Sequence, residues 1–223
     1  MTPSPQKIAL VTGASRGIGA AAALALAQVG YHVVLAGRSE SHLTNVEGRI
    51  HGAGGSATIA PFDLTDDAAI DRLAAAIGAR WGKLDLLVLG AGQIGAIAPL
   101  VHIEPKEWNS VLSVNLTANW RLLRAFDPWL RQSQTANVVA LTSTVASEPR
   151  ANWGVYAVSK AALESMIAIY ALETQAVTSI RTHVVNPGAT RTAMRARAFP
   201  GEDPATVKPP EDVAAMIVAV LQA

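Results

Sequence analysis

Three glycines stand between a short apolar run, Ile8–Thr12, and a helical run, Ala20–Gln28, in the segment Thr12-Gly13-Ala14-Ser15-Arg16-Gly17-Ile18-Gly19. A strand that enters a helix through such a segment must turn tightly and let other backbone come close, which glycine permits because it has no Cβ. The helix N-terminus then offers unpaired N–H groups and a partial positive charge, a ready seat for an anion such as a pyrophosphate. The spacing is Gly-x3-Gly-x-Gly, unlike the usual Gly-x-Gly-x2-Gly fingerprint. A plain strand-to-helix corner would use the same glycines, so the decision falls to the rest of the chain.

The strand-then-helix order repeats. Further strands are expected at His32–Ala36, Ala57–Pro61, Leu84–Leu89, Asn137–Thr142 and Arg181–Val185, and helices at Glu40–His51, Asp67–Trp81, Pro105–Arg131, Tyr156–Thr174 and Asp212–Leu221. Most of the strand runs are continuously apolar, as in parallel strands covered on both faces. Alternation of this kind predicts an α/β fold with a doubly wound parallel sheet. Asp66 or Asp67 is expected to cap the third helix, and Pro105 suits a first helical turn. The segment Ala196–Pro210, rich in proline and charge, reads as mobile.

Half of the 223 residues are hydrophobic, enough for one core, so one domain over residues 1–223 is expected. With 18 basic and 17 acidic residues, no broad field favours nucleic acid or an anionic membrane. The absence of cysteine excludes disulfides and thiolate metal sites, and His102 and His183 have no neighbours at metal-ligand spacing, so no metal is expected. Met1–Lys7 lacks the order of a signal peptide, and Ala20–Val29 falls short of the ~20 apolar residues a bilayer requires. A cytoplasmic location is the expectation.

The second strand ends in Leu35-Ala36-Gly37-Arg38-Ser39, where a dinucleotide fold places the adenosine ribose. An acid there would accept from a 2′-hydroxyl, whereas an arginine pairs with a 2′-phosphate. No carboxylate occurs until Glu40, so Arg38, Ser39 and Arg16 point to NADP(H) rather than NAD(H).

Tyr156 and Lys160 stand four apart, which on a helix places both on one face and within reach of one substrate atom. A phenol of pKa ~10 needs a nearby cation to serve as an acid or base near neutrality. A shift of about three units requires about 4 kcal/mol, more than an exposed ion pair supplies, so the site should be closed and partly dry.

In this order and at this distance, the glycine segment and the Tyr/Lys pair resemble the short-chain dehydrogenase/reductase family, and the agreement runs from Ile8 to Thr192. The resemblance implies a Rossmann-like fold and several roles. Ser143, in Leu141-Thr142-Ser143, matches the serine that binds the substrate oxygen, and Asn115 the asparagine that distorts its helix and holds a water in a proton relay. Asn186-Pro187-Gly188-Ala189-Thr190-Arg191-Thr192 is similar to the segment that closes over nicotinamide, and Asp63 to a residue that contacts adenine. The implied catalytic set is Asn115, Ser143, Tyr156 and Lys160. The implied cofactor set adds Gly13, Ser15, Arg16, Gly17, Ile18, Gly19, Arg38, Ser39, Asp63, Leu64, Ala91, Gly92, Pro187, Gly188, Thr190 and Thr192. Hydride would pass between nicotinamide and a carbonyl or secondary alcohol, with Tyr156 as the acid or base and Lys160 also holding the ribose.

Two departures stand out. Leu89-Gly90-Ala91-Gly92 replaces the family's Asn-Asn-Ala-Gly, and the last helix is not followed by the family's final strand, so six main strands are expected. That missing strand normally helps to build one tetramer interface, so a homodimer is expected, with a tetramer as the alternative. Ala161, Ala162, Met166, Ile169 and Tyr170 could serve that interface or simply face the sheet. Packing is the expected role of Trp108, Trp120 and Trp129, whereas Ile94, Val145, Trp153 and Met194 could line a substrate pocket.

Specificity is expected from Gln93–Pro99, Ala146–Trp153 and a short loop at about 193–210. Arg191, Arg195 and Arg197 would either attract an acidic substrate or form a solvated face. The rival functions are a nicotinamide-binding sensor without chemistry, which would not need the whole catalytic set, and a dehydratase or epimerase, against which the short chain argues.

Overall fold

The computed structural model describes residues 6–222, so residues 1–5 of the polar Met1–Lys7 stretch lie outside the described residues. Six parallel strands, β1 (Lys7–Thr12), β2 (Tyr31–Gly37), β3 (Ser56–Pro61), β4 (Leu86–Leu89), β5 (Asn137–Leu141) and β6 (Arg181–Val185), form one sheet in the order β3-β2-β1-β4-β5-β6. The expected Rossmann-like sheet and its strand number are therefore found.

The helices are α1 (Gly17–Gln28), α2 (Glu40–Gly52), α3 (Asp67–Trp81), α4 (Pro105–Leu112), α5 (Ala118–Leu130), α6 (Gly154–Thr174), α7 (Ala193–Ala198) and α8 (Pro210–Val220). Strand side chains alternate between faces, so each apolar run feeds two cores. Ala9, Val11, Val33, Leu35, Leu86 and Val88 pack with α1, α2 and α8. Their neighbours Ile8, Leu10, Val34, Leu87 and Leu89 pack with α3, α5 and α6. Asp66, one of the two proposed caps, accepts the Ala69 N–H at 3.0 Å.

One expectation needs correction. The helix expected over Pro105–Arg131 is broken by a π-helical turn at Ser113–Thr117. Such a turn inserts an extra residue into the helical ladder and re-aims the side chains there. The segment expected to be mobile, Ala196–Pro210, includes the end of α7 and a 3₁₀ turn at Pro204–Thr206. It is tied to the residues before it: Arg195 forms a fork with Glu202 through bonds of 2.7 and 2.6 Å, and the Arg191 backbone N–H donates to the Lys208 carbonyl at 2.8 Å.

The alternatives left open for α6 divide by residue. Met166 and Tyr170 pack against the core, and the Tyr170 hydroxyl donates to Asp127 at 2.8 Å, whereas Ile169 is exposed together with Val158 and Leu172. This helix is long and apolar enough to cross a membrane, yet Leu163 and Ile167 lie in the core and Lys160 is buried. Of the tryptophans, Trp129 fills the space beside Gly78, where a Cβ would come within 2.1 Å of its ring, and Trp120 is half exposed.

Because the sheet order reverses between β1 and β4, their C-terminal ends open a crevice, the usual ligand position in such a sheet. The glycine segment follows β1 and Gly90-Ala91-Gly92 follows β4, so both motifs meet at that crevice.

Candidate active site

The glycine segment is built for close approach. A Cβ on Gly19 would lie 2.3 Å from the Gly13 carbonyl oxygen, and one on Gly13 would lie 2.9 Å from the Ala91 Cα. Gly13 and Gly17 both adopt positive φ, at 68° and 57°, a region that side chains other than glycine's rarely enter. The α1 helix starts at Gly17, inside the motif and three residues before the expected start. Arg16 caps it in extended conformation with no side-chain hydrogen bond, and the first turn carries no acid, so the positive end is left for an external anion.

Ser15, Arg16, Arg38 and Ser39 line one open cleft with His42, a residue that sequence reasoning missed. Its signal was available, since His42 lies one turn into α2, beyond the Ser39 cap. Exposed Arg38 is 4.0 Å from Asp63, whose carboxyl is held below its usual range chiefly by the Thr65 N–H and hydroxyl and less by Arg38. Leu64 and Ala91 are buried in the α3–α5–α6 core, and Ile18 packs against the core on the opposite face, so their side chains are taken up by packing.

At Gly90, where the family's asparagine is replaced, the backbone is held by Thr12. Its hydroxyl donates to the Val88 carbonyl at 3.1 Å and accepts the Gly90 and Ala91 N–H groups at 3.1 and 3.3 Å. A Cβ at Gly90 would lie 2.8 Å from the Thr12 carbonyl oxygen, so the backbones here are closer than a larger residue allows.

The π-helical turn places Asn115 wholly inside. Its Oδ1 accepts the Gln93 N–H at 2.8 Å, while its Nδ2 donates to the Gln93 carbonyl at 2.9 Å and to the Ser159 hydroxyl at 2.9 Å. Its own carbonyl accepts the Asn119 side-chain amide at 2.7 Å. Gly92 lies between Asn115 and Lys160: a Cβ there would be 3.4 Å from Asn115 Oδ1 and 3.7 Å from Lys160 Nζ.

Helix α6 carries Tyr156 and Lys160 on one buried face, and β5 ends just before Ser143. The Ser143 side chain stands close enough to the Tyr156 phenol to pull its pKa down. Lys160 Nζ donates to the Leu141 carbonyl at 2.7 Å and lies 5.9 Å from the centre of the Tyr156 ring. Burial lowers the Lys160 pKa to about 8, and burial raises that of Tyr156. The neighbouring Ser143 hydroxyl opposes the tyrosine shift, since a hydrogen bond from it favours phenolate.

Asn186 donates to the Thr144 hydroxyl at 3.1 Å and accepts the Gly188 N–H at 3.0 Å, while Thr190 donates to the Pro187 carbonyl at 3.0 Å. Thr192 caps α7 and comes near the glycine segment, since a Cβ on Gly17 would be 3.4 Å from its methyl group. Over Tyr156 lies an apolar cluster: Ile94 and Val145 are buried with it, and Trp153, Met194 and Ala198 pack against them. Of the other expected residues, His183 bonds to Asn137 at 2.9 Å and His102 is exposed.

A family model described as short chain dehydrogenase matches residues 7–203. The chain is 39% identical over 210 residues to the uncharacterized oxidoreductase YciK of Escherichia coli strain K12, covering 93% of this chain and 82% of YciK. A short chain dehydrogenase structure from Pseudomonas syringae is 39% identical, with a TM-score of 0.93 over 98% of this chain and 91% of its own. Another, from Shigella flexneri 2a strain 301 and complexed with NADP, is 38% identical, with a TM-score of 0.90 over 96% and 90%.

Proposed function

The chain belongs to the short-chain dehydrogenase family and is an oxidoreductase, and from that premise we propose that it is an NADP(H)-dependent carbonyl reductase with Tyr156 as its acid. The observation that carries this reading is the burial of Tyr156 and Lys160 together on α6, with Lys160 Nζ 5.9 Å from the centre of the Tyr156 ring and held by the Leu141 carbonyl. The reading treats residues 1–223 as one domain in the cytoplasm.

The glycine segment, where an added Cβ would meet backbone, fits a pyrophosphate, and the Ser15, Arg16, Arg38 and Ser39 cleft fits a 2′-phosphate. A Shigella relative that holds NADP supports the same choice. Asp63 and Leu64 would flank the adenine, with Ala91, Gly92, Asn115, Tyr156 and Lys160 along the ribose. Pro187, Gly188, Thr190 and Thr192 would cover the nicotinamide. When bound, NADPH supplies a hydride to the carbonyl carbon.

Ser143 orients the carbonyl oxygen, and Tyr156 gives that oxygen its phenolic proton. A tyrosine held protonated by burial suits a donor, which favours reduction over oxidation near neutrality. Lys160 steadies the phenolate left behind, and Asn115, fixed to Gln93, keeps Gly92 and Lys160 in register. Following NADPH consumption and alcohol formation together across ketones and aldehydes tests the reading. Equal amounts of both support it, whereas NADPH binding without turnover on any carbonyl favours a sensor.

A pH dependence follows from Lys160. Its charge is present below its pKa of about 8 and is lost above it. The kcat/KM for reduction should be flat from pH 6 to 7 and fall toward roughly tenfold per unit well above 8. A profile still flat at pH 10 would show that the charge is not needed.

The exposed Val158, Ile169 and Leu172 of α6 and Trp120 of α5 support assembly as a homodimer through these helices, a tetramer being the alternative. Light scattering should then give a mass of two chains, and a single-chain mass at high concentration would contradict it.

A further inference from the structure

The family reading leaves the substrate open, but the surroundings of Tyr156 narrow it. Asn152 adopts a φ of 70°, uncommon for any residue but glycine, and its carbonyl is tied to the Ala98 N–H at 3.0 Å. This turn precedes Trp153, whose ring lies 6.0 Å from that of Tyr156 and 5.7 Å from that of Phe199. Phe199 directly follows α7, in the segment once expected to be mobile.

Arg195 and Arg197 make contacts within the protein. Arg195 stacks its guanidinium 3.7 Å from the centre of the Phe199 ring and is neutralised by Glu202. Arg197 donates to the Gly95 carbonyl at 3.4 Å, and Arg191 is exposed. The side chains of Ile94, Val145, Trp153, Ala157, Met194 and Ala198 pack with Tyr156 and give it an apolar surround. A substrate carboxylate seated there would lose its water without gaining a partner.

We propose that the substrates are uncharged carbonyl compounds bearing an aromatic ring, selected by Trp153 and Phe199. The proposal rests on Tyr156 being the acid, since only then is this cluster the substrate pocket. The ring lies against the Trp153–Phe199 pair, which places the carbonyl toward Ser143 and Tyr156. Arg195 and Glu202 hold Phe199 in position.

The test compares 4-methylbenzaldehyde, 4-carboxybenzaldehyde and butanal as substrates with NADPH. The methyl compound should exceed the carboxylate in kcat/KM by about 100-fold or more, the cost of an unpaired buried charge. Trp153→Ala and Phe199→Ala should each reduce the preference for 4-methylbenzaldehyde over butanal by about 10- to 100-fold, the worth of one buried aromatic contact. Independently of turnover, 4-methylbenzyl alcohol should quench tryptophan fluorescence in the wild-type protein, and Trp153→Phe should remove most of that quenching.

Equal or better reduction of the carboxylate, an unchanged preference in both variants, or quenching unaffected by Trp153→Phe overturns the proposal while the reductase reading stands. No turnover of any of the three carbonyls, or of a wider set, removes the reductase reading and this proposal with it.

Discussion

Tyr156→Phe is expected to lower kcat for carbonyl reduction by about 10²- to 10⁴-fold, the contribution of a positioned general acid. The substitution keeps the ring that packs against Ile94 and Val145 and removes only the hydroxyl. Stability should change by no more than about 1.5 kcal/mol, the worth of one neutral hydrogen bond. NADPH affinity should fall by no more than about tenfold, the limit for one neutral hydrogen bond. Steady-state kinetics and fluorescence titration on one preparation separate the two effects. Turnover within tenfold of wild type would remove Tyr156 as the proton donor, whatever the cofactor does.

Arg38→Asp should reverse the cofactor preference. In the proposed cleft the guanidinium meets the 2′-phosphate, a charge-assisted bond of about 1.5–3 kcal/mol, and the new carboxylate would repel that phosphate. The NADPH Kd should rise by about 100-fold or more, whereas NADH, which lacks the 2′-phosphate, should hold or improve. Arg38→Ala serves as the control, because the aspartate also stands near Asp63 and both sites are exposed. An unchanged ratio of the two affinities in both variants would place the discrimination elsewhere, with Arg16 the next residue to change.

The parts of this architecture that depend on local pattern were open to reading from the sequence. Runs such as Val33–Leu35 and Leu86–Leu89 are apolar at every position because both sheet faces are covered, and that is visible without coordinates. The glycine segment was equally legible, since its positive-φ residues and close approaches leave few alternatives to glycine. A helix distortion at Asn115 was implied only by the family resemblance; periodicity missed it, because the turn comes with bonds of Asn115 to Gln93, 22 residues away in the chain. The short α7 helix and the seat of Phe199 likewise depend on the Arg195–Glu202 fork and on Trp153, contacts that neither periodicity nor composition encodes. The contact of the Lys160 ammonium group with the Leu141 carbonyl was not legible either, because it joins residues 19 apart through the packing of α6 on β5.

The central claim, hydride transfer to a carbonyl carbon at this site, is tested most directly with NADPH deuterated at the transferring position of the nicotinamide. The enzyme is incubated with 4-methylbenzaldehyde, and with further ketones and aldehydes, and the alcohol is analysed by mass spectrometry. The account predicts one deuterium on the carbinol carbon for each NADPH consumed. Alcohol without deuterium, or no alcohol from any carbonyl while NADPH remains bound, would contradict it.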